Sequence, residues 1–128
     1  MSFAKVLGVV RIAFGVGLLA APGPTLRSLT EPRTAGMPPM QAVWRMVAGR
    51  DIALGVALLM APNGGTGQRA LLYMCSVVDS VDGASMLAAW PSLRTGSKWG
   101  ALGVAGTSAA IHCAVASIGG DGRSGEVA

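Results

Sequence analysis

Charged side chains are scarce in this chain: Asp, Glu, Lys and Arg make up 12% of its 128 residues, where a soluble domain carries about 25%. Aromatics are few as well, at 5%, and there is a single histidine and a pair of cysteines. Each shortage removes a class of chemistry. One histidine cannot supply an H-E-x-x-H metal helix, and Cys75 and Cys113 make neither a C-x-x-C pair nor a disulfide framework. They read as small buried residues. No glycine-rich loop opens a helix after a strand pattern, and there is no nucleophile elbow. Metal, nucleotide and haem binding are therefore not expected, and no cofactor is. Basic residues outnumber acidic ones, 10 to 6, with a pI near 9.8. They are scattered, without a cluster of four, so nucleic acid is not an expected partner.

What the chain does have is apolar length. It is 52% hydrophobic with 19 glycines, and its mean hydropathy is +0.55. Four segments, near 4–21, 40–61, 68–90 and 97–118, are long enough to cross a bilayer as helices, which takes about 20 residues. Pro22, Pro24, Pro32 and Pro38-Pro39 punctuate a first loop with room for a short interfacial helix. Pro62-Asn63-Gly64-Gly65 makes a second turn and Pro91-Ser92 opens a third. The expected fold is all-α, a single up-down-up-down bundle of four transmembrane helices over 1–118, with 119–128 a flexible tail. That makes it a multi-pass integral protein of the cell membrane, with the lipid bilayer as its first partner. Arg11 interrupts the apolar run of residues 1–22 and Pro22 follows its small residues, so a retained first span is expected rather than a cleaved signal. Arg27, Arg33, Arg94 and Lys98 lie on one side against Lys5, Arg69 and Arg123 on the other. The positive-inside rule then places the first and third loops in the cytoplasm.

Six ionisable residues fall inside these spans and balance: Arg11, Arg45 and Arg50 against Asp51, Asp79 and Asp82. Each costs about 2.5–3.5 kcal/mol on insertion scales, so a buried, mutually paired cluster is expected. An internal echo locates it. Residues 12–22 match 52–62 at eight of eleven positions, at a fixed offset of forty. Arg11 and Asp51 each lie eleven residues before their proline, about 16 Å along a helix and so near mid-membrane. They are the natural pair. Asp79 is central too; Asp82 and Arg45 lie toward the side of the first and third loops, which places Asp82 between Arg45 and Arg50. At 100° per residue, Arg45, Arg50 and Asp51 cannot all face one pocket from a straight helix. His112 falls toward the opposite membrane face and reads as a satisfied core histidine.

Asp79 and Asp82, three residues apart, share a stripe with Leu72, Cys75, Ser76, Gly83 and Met86. Two carboxylates so close in low dielectric cannot both carry charge cheaply unless an arginine intervenes. One held neutral beside an ionised partner is what a proton donor requires; the plainer alternative is that both neutralise Arg45 and Arg50. Trp44, Tyr73, Trp90 and Trp99 lie near span ends, as interfacial anchors do. Trp44 and Trp90, on the cluster's side, could also line a pocket mouth. Ladders of small residues, Gly49-Ala53-Ala57-Ala61 in the second span and Gly96-Gly100 then Gly106-Ala110-Ala114 in the fourth, are expected to let helices approach closely.

The G-R-D-I-A-L-G run at 49–55, with D-S-V-D-G at 79–83, resembles a family of small four-helix membrane proteins of actinobacteria and fungi. The resemblance covers about residues 4–118. In size and span number the chain is also similar to bacterial membrane terpene cyclases of drimentine-type indole terpenoid pathways. That likeness implies an acid that protonates the terminal alkene or epoxide of a prenyl chain, with Asp51, Asp79 and Asp82 as the matching candidates. Arg11, Arg45, Arg50, Trp44 and Trp90 would then pair charge or contact a lipophilic, isoprenoid substrate. The leading expectation is thus a membrane-embedded acid–base enzyme. A non-enzymatic accessory or assembly protein, whose charges serve helix association, is the alternative. A proton-coupled carrier is a third, and with four short spans it would need to be a homo-oligomer.

Overall fold

The computed structural model describes residues 2–29, 36–89, 91 and 95–118. Among them the chain is all-helical: α1 (Phe3–Ala20), α2 (Pro22–Leu29), α3 (Pro38–Met60), α4 (Thr66–Ala88) and α5 (Thr95–Ile118). The four long helices start and stop within two residues of the segments expected from sequence. Proline sets several of these limits. Pro38 and Pro39 open α3, where a missing N–H costs nothing, after an extended Met37. Ala61 is extended before Pro62, which ends the helix. Gly64, at φ +69°, supplies the left-handed turn residue that follows. The Gln68 side chain reaches back to accept from the Gly64 N–H at 2.9 Å and closes the start of α4. The Trp90 position, the first-loop stretch 30–35 and the tail 119–128 lie outside the described residues.

Two of the helices, α1 and α4, are long and apolar enough to cross a membrane. Of the others, α3 carries Arg45, Arg50 and Asp51 within its length, and α5 holds an apolar stretch over Leu102–Ile118. The distribution of polarity departs from that of a water-soluble domain, where buried charges and a largely apolar exterior are rare. Arg11, Asp51, Gln68, Asp79 and His112 are buried, while Phe3, Phe14, Met46, Met60, Val77 and Val104 face outward.

The long helices form two close antiparallel pairs, α1 with α3 and α4 with α5, which meet along a thinner seam. Between α1 and α3 the backbones nearly touch. A Cβ on Gly15 would meet the Ala48 carbonyl and Ile52, and one on Gly55 would meet the Gly8 carbonyl and Ile12. Moving Gly15 forward by forty and Ala48 and Ile52 back by forty turns the first set of contacts into the second, so the sequence echo is a pseudo-twofold relation in space. The close approach comes from Gly8, Gly15 and Gly55, not from the expected ladders: Gly49 and Gly106 have no neighbour within 4 Å. Ala4, Leu58, Leu72, Cys75 and Ala116 make an apolar core at the end where the chain starts, which leaves the middle of the bundle to the charges.

Candidate functional site

Arg11 is the hub. Its guanidinium offers five N–H donors in one plane, and each of the other three long helices supplies an acceptor. Nη1 donates to Asp51 Oδ1 at 2.5 Å from α3. Nη2 donates to both Asp79 oxygens at 2.5 Å and, at 3.5 Å, to the Cys75 carbonyl, all on α4. Nε donates to His112 Nε2 at 3.3 Å on α5. An arginine N–H can only donate, so His112 Nε2 must carry a lone pair and the ring proton sits on Nδ1. There it donates to the Ser108 carbonyl at 2.8 Å, one turn back. The Ser108 hydroxyl completes the ring by donating to Asp79 Oδ2 at 2.7 Å. Arg11, Asp51, Asp79 and His112 are all at least nine-tenths buried, and all find partners within the chain.

A second pair adjoins this core. Arg50 makes a two-pronged contact with Asp82, Nη1 to Oδ1 at 2.9 Å and Nη2 to Oδ2 at 2.7 Å, across the α3–α4 seam. Arg50 Nη2 also lies 3.7 Å from Asp51 Oδ1, linking outer pair to inner core. Unlike the core, this pair is reachable: the Arg50 and Asp82 side chains are 31% and 37% exposed. Two guanidiniums thus face three carboxylates.

The structure therefore brings together Arg11, Arg50, Asp51, Asp79 and Asp82, and leaves out Arg45. Arg45 is exposed and has no ion-pair partner among the described residues, so Asp82 does not sit between Arg45 and Arg50. Five residues separate the two arginines, which turns them about 140° apart on the helix. Asp79 and Asp82 each meet a different arginine, Arg11 and Arg50, so an arginine does intervene at each carboxylate, though at Asp79 it is Arg11 and not Arg45. Trp44 is half-buried on α3, and Trp90 falls outside the described residues. His112 is a satisfied core histidine, as expected, but its side chain reaches the cluster although its backbone sits at another level. Ser76 bonds to the Ala109 carbonyl and Arg69 to the Ala116 carbonyl, a register that sets His112 about 9 Å from the level of Asp79 at 1.5 Å per residue. Side chains lean toward the N-terminus of their own helix. In antiparallel α4 and α5 that tilts Asp79 and His112 toward each other, and Ser108 fills the remaining gap. The Ser108–His112 spacing of four was the signal in the sequence.

Chemically, this arrangement suits holding charge rather than donating a proton, since every described aspartate accepts from a guanidinium. Among the described residues no three His, Cys, Asp or Glu side chains are grouped to hold a metal ion. Comparison with known protein families, with curated proteins and with solved structures finds no match for the chain.

Proposed function

We propose that this is a small multi-pass membrane protein in which α1, α3, α4 and α5 all cross the bilayer, and that its intramembrane charges clasp the two helix pairs together. On this reading it serves as an accessory or assembly component rather than acting on a substrate through its aspartates. The observation that carries it is that Arg11 donates to every other long helix, to a carboxylate on two of them. Lipid gives helices no hydrophobic reason to associate, so buried polar contacts and close glycine packing must do so. The apolar outer surface and charged interior support the same placement.

A second reading, the membrane-embedded acid–base enzyme of isoprenoid substrates with a terpene cyclase as its specific form, has one feature in its favour. Asp82 is reachable at the α3–α4 seam, where a prenyl chain dissolved in the bilayer could approach it. One experiment separates the two. Asp82→Asn and Asp79→Asn keep shape but remove the acid. The assembly reading expects Asp79→Asn to lower expression and melting temperature, with Asp82→Asn milder because its pair is part-exposed. The enzyme reading expects both variants to fold and Asp82→Asn to abolish turnover of a prenylated indole. A well-folded Asp79→Asn protein with native melting would remove the assembly reading.

A further inference from the structure

Far from the charge cluster, at the start of α4, Thr66, Arg69, Ala70 and Tyr73 line an open cleft of about 270 Å³. Arg69 is pinned there. Its Nε donates to the Ala116 carbonyl of α5 at 3.3 Å, which fixes the guanidinium plane. No contact among the described residues occupies its two Nη groups. All three described carboxylates, Asp51, Asp79 and Asp82, belong to the cluster deeper in the bundle. Among the described residues, Arg69 is therefore a positioned fork without an acid to receive it.

We propose that this cleft binds the phosphate of an anionic phospholipid headgroup, with Arg69 as the phosphate-binding residue; the proposal rests on the membrane reading above. Depth is the first reason. Arg69 precedes Asp79 by ten residues, about 15 Å of helix, or half of a ~30 Å hydrocarbon layer. If the cluster sits at mid-membrane, Arg69 stands at the headgroup level and Tyr73, one turn deeper, at the aromatic belt. Chemistry is the second. A planar guanidinium matches two phosphate oxygens at once, and the first turn of α4 has no side-chain cap on its amides, so its positive end faces the same region. The third reason selects lipid over free phosphate. A single arginine in an open cleft holds a soluble anion weakly, whereas the bilayer keeps a headgroup beside it. The apolar floor, Ala70 and the Tyr73 ring, fits the first carbons below that headgroup.

The test uses the full chain in nanodiscs of phosphatidylcholine, alone or mixed with phosphatidylglycerol, with bound lipids counted by native mass spectrometry after release. The parent chain should retain phosphatidylglycerol preferentially. Arg69→Met should weaken that retention about fivefold, while Arg69→Lys, which keeps the charge and loses the fork, should fall between. Circular dichroism melting of each variant checks that the bundle is intact. Unchanged retention in a folded Arg69→Met chain would overturn the site. Displacement of the lipid by inorganic phosphate would also overturn it, in favour of a soluble anion. Alkaline carbonate extraction of the native membranes reports on the underlying reading: release of the chain would remove the membrane placement and this site with it, whereas retention beside an indifferent Arg69→Met would remove the site alone.

Discussion

Replacing Arg11 by methionine is expected to unfold the bundle or prevent its accumulation. Methionine keeps most of the stem, so volume is largely preserved and the missing element is the guanidinium. Asp79 would then lose its guanidinium, Asp51 would keep only the 3.7 Å approach of Arg50, and His112 Nε2 would lose its donor. Breaking a buried pair by deleting one partner costs about 3–5 kcal/mol, a large share of the stability of a domain this size. The compensation is as informative as the loss. Arg11→Met combined with Asp51→Asn and Asp79→Asn removes the stranded charges together. That triple variant should recover much of the folded yield, because neutral amides can bond to one another across the same gap. Thermal melting by size-exclusion chromatography in detergent reads both arms. A single Arg11→Met variant that melts with the parent would mean the hub holds nothing together.

How much of this site was legible in the sequence depended on which quantity had to be inferred. Helix limits were legible because proline and glycine mark them chemically, as at Pro38, Pro62 and Gly64. The Arg11–Asp51 contact was legible because two residues at the centres of two packed helices share a level whichever way the helices run. Side-chain direction was not. Three residues of spacing put Asp79 and Asp82 on one stripe, but the arginines that receive them lie on different helices, and their positions are a property of the assembled bundle. That the His112 side chain reaches the cluster from a different backbone level was hidden for the same reason. Backbone depth omits the opposite lean of side chains on antiparallel helices, and a long guanidinium bridges what is left.

The thinness of the seam gives the network its importance. Each close pair could be held by contacts of its own: α1 and α3 by backbone approach, α4 and α5 by Ser76, Ser108 and Arg69 reaching across. Between the pairs, the contacts that stand out are Arg11 to Asp79 and His112, and Arg50 to Asp82. The pseudo-twofold relation of α1 and α3 sharpens the point. Arg11 and Asp51 occupy equivalent positions at its centre, where identical residues would repel or leave each other unpaired. Opposite signs there close the first pair and leave Arg11 donors free for the second.

The glycine contacts carry the other large effect. Gly55→Val and Gly15→Val should each weaken the fold strongly and to a similar degree, because the pseudo-twofold makes their surroundings alike. A Cβ at Gly55 would stand 2.6 Å from the Gly8 carbonyl oxygen and 2.7 Å from Ile12 Cγ1, and one at Gly15 would stand 2.7 Å from both the Ala48 oxygen and Ile52 Cγ1. Carbonyls cannot swing aside as a side-chain tip can, so the helices must separate, and overpacking of this kind costs about 1–3 kcal/mol or more. Separation would also lengthen the Arg11–Asp51 contact, which adds to the loss. Gly49→Val on the same helix is the control, since that position faces open space, and it should melt close to the parent. Should Gly49→Val do as much damage as Gly55→Val in the membrane but none in detergent, the outward face of α3 would be packed against a second copy. Equal tolerance at Gly15 and Gly55 would instead refute the backbone-to-backbone packing on which the depth of the Arg11 site depends.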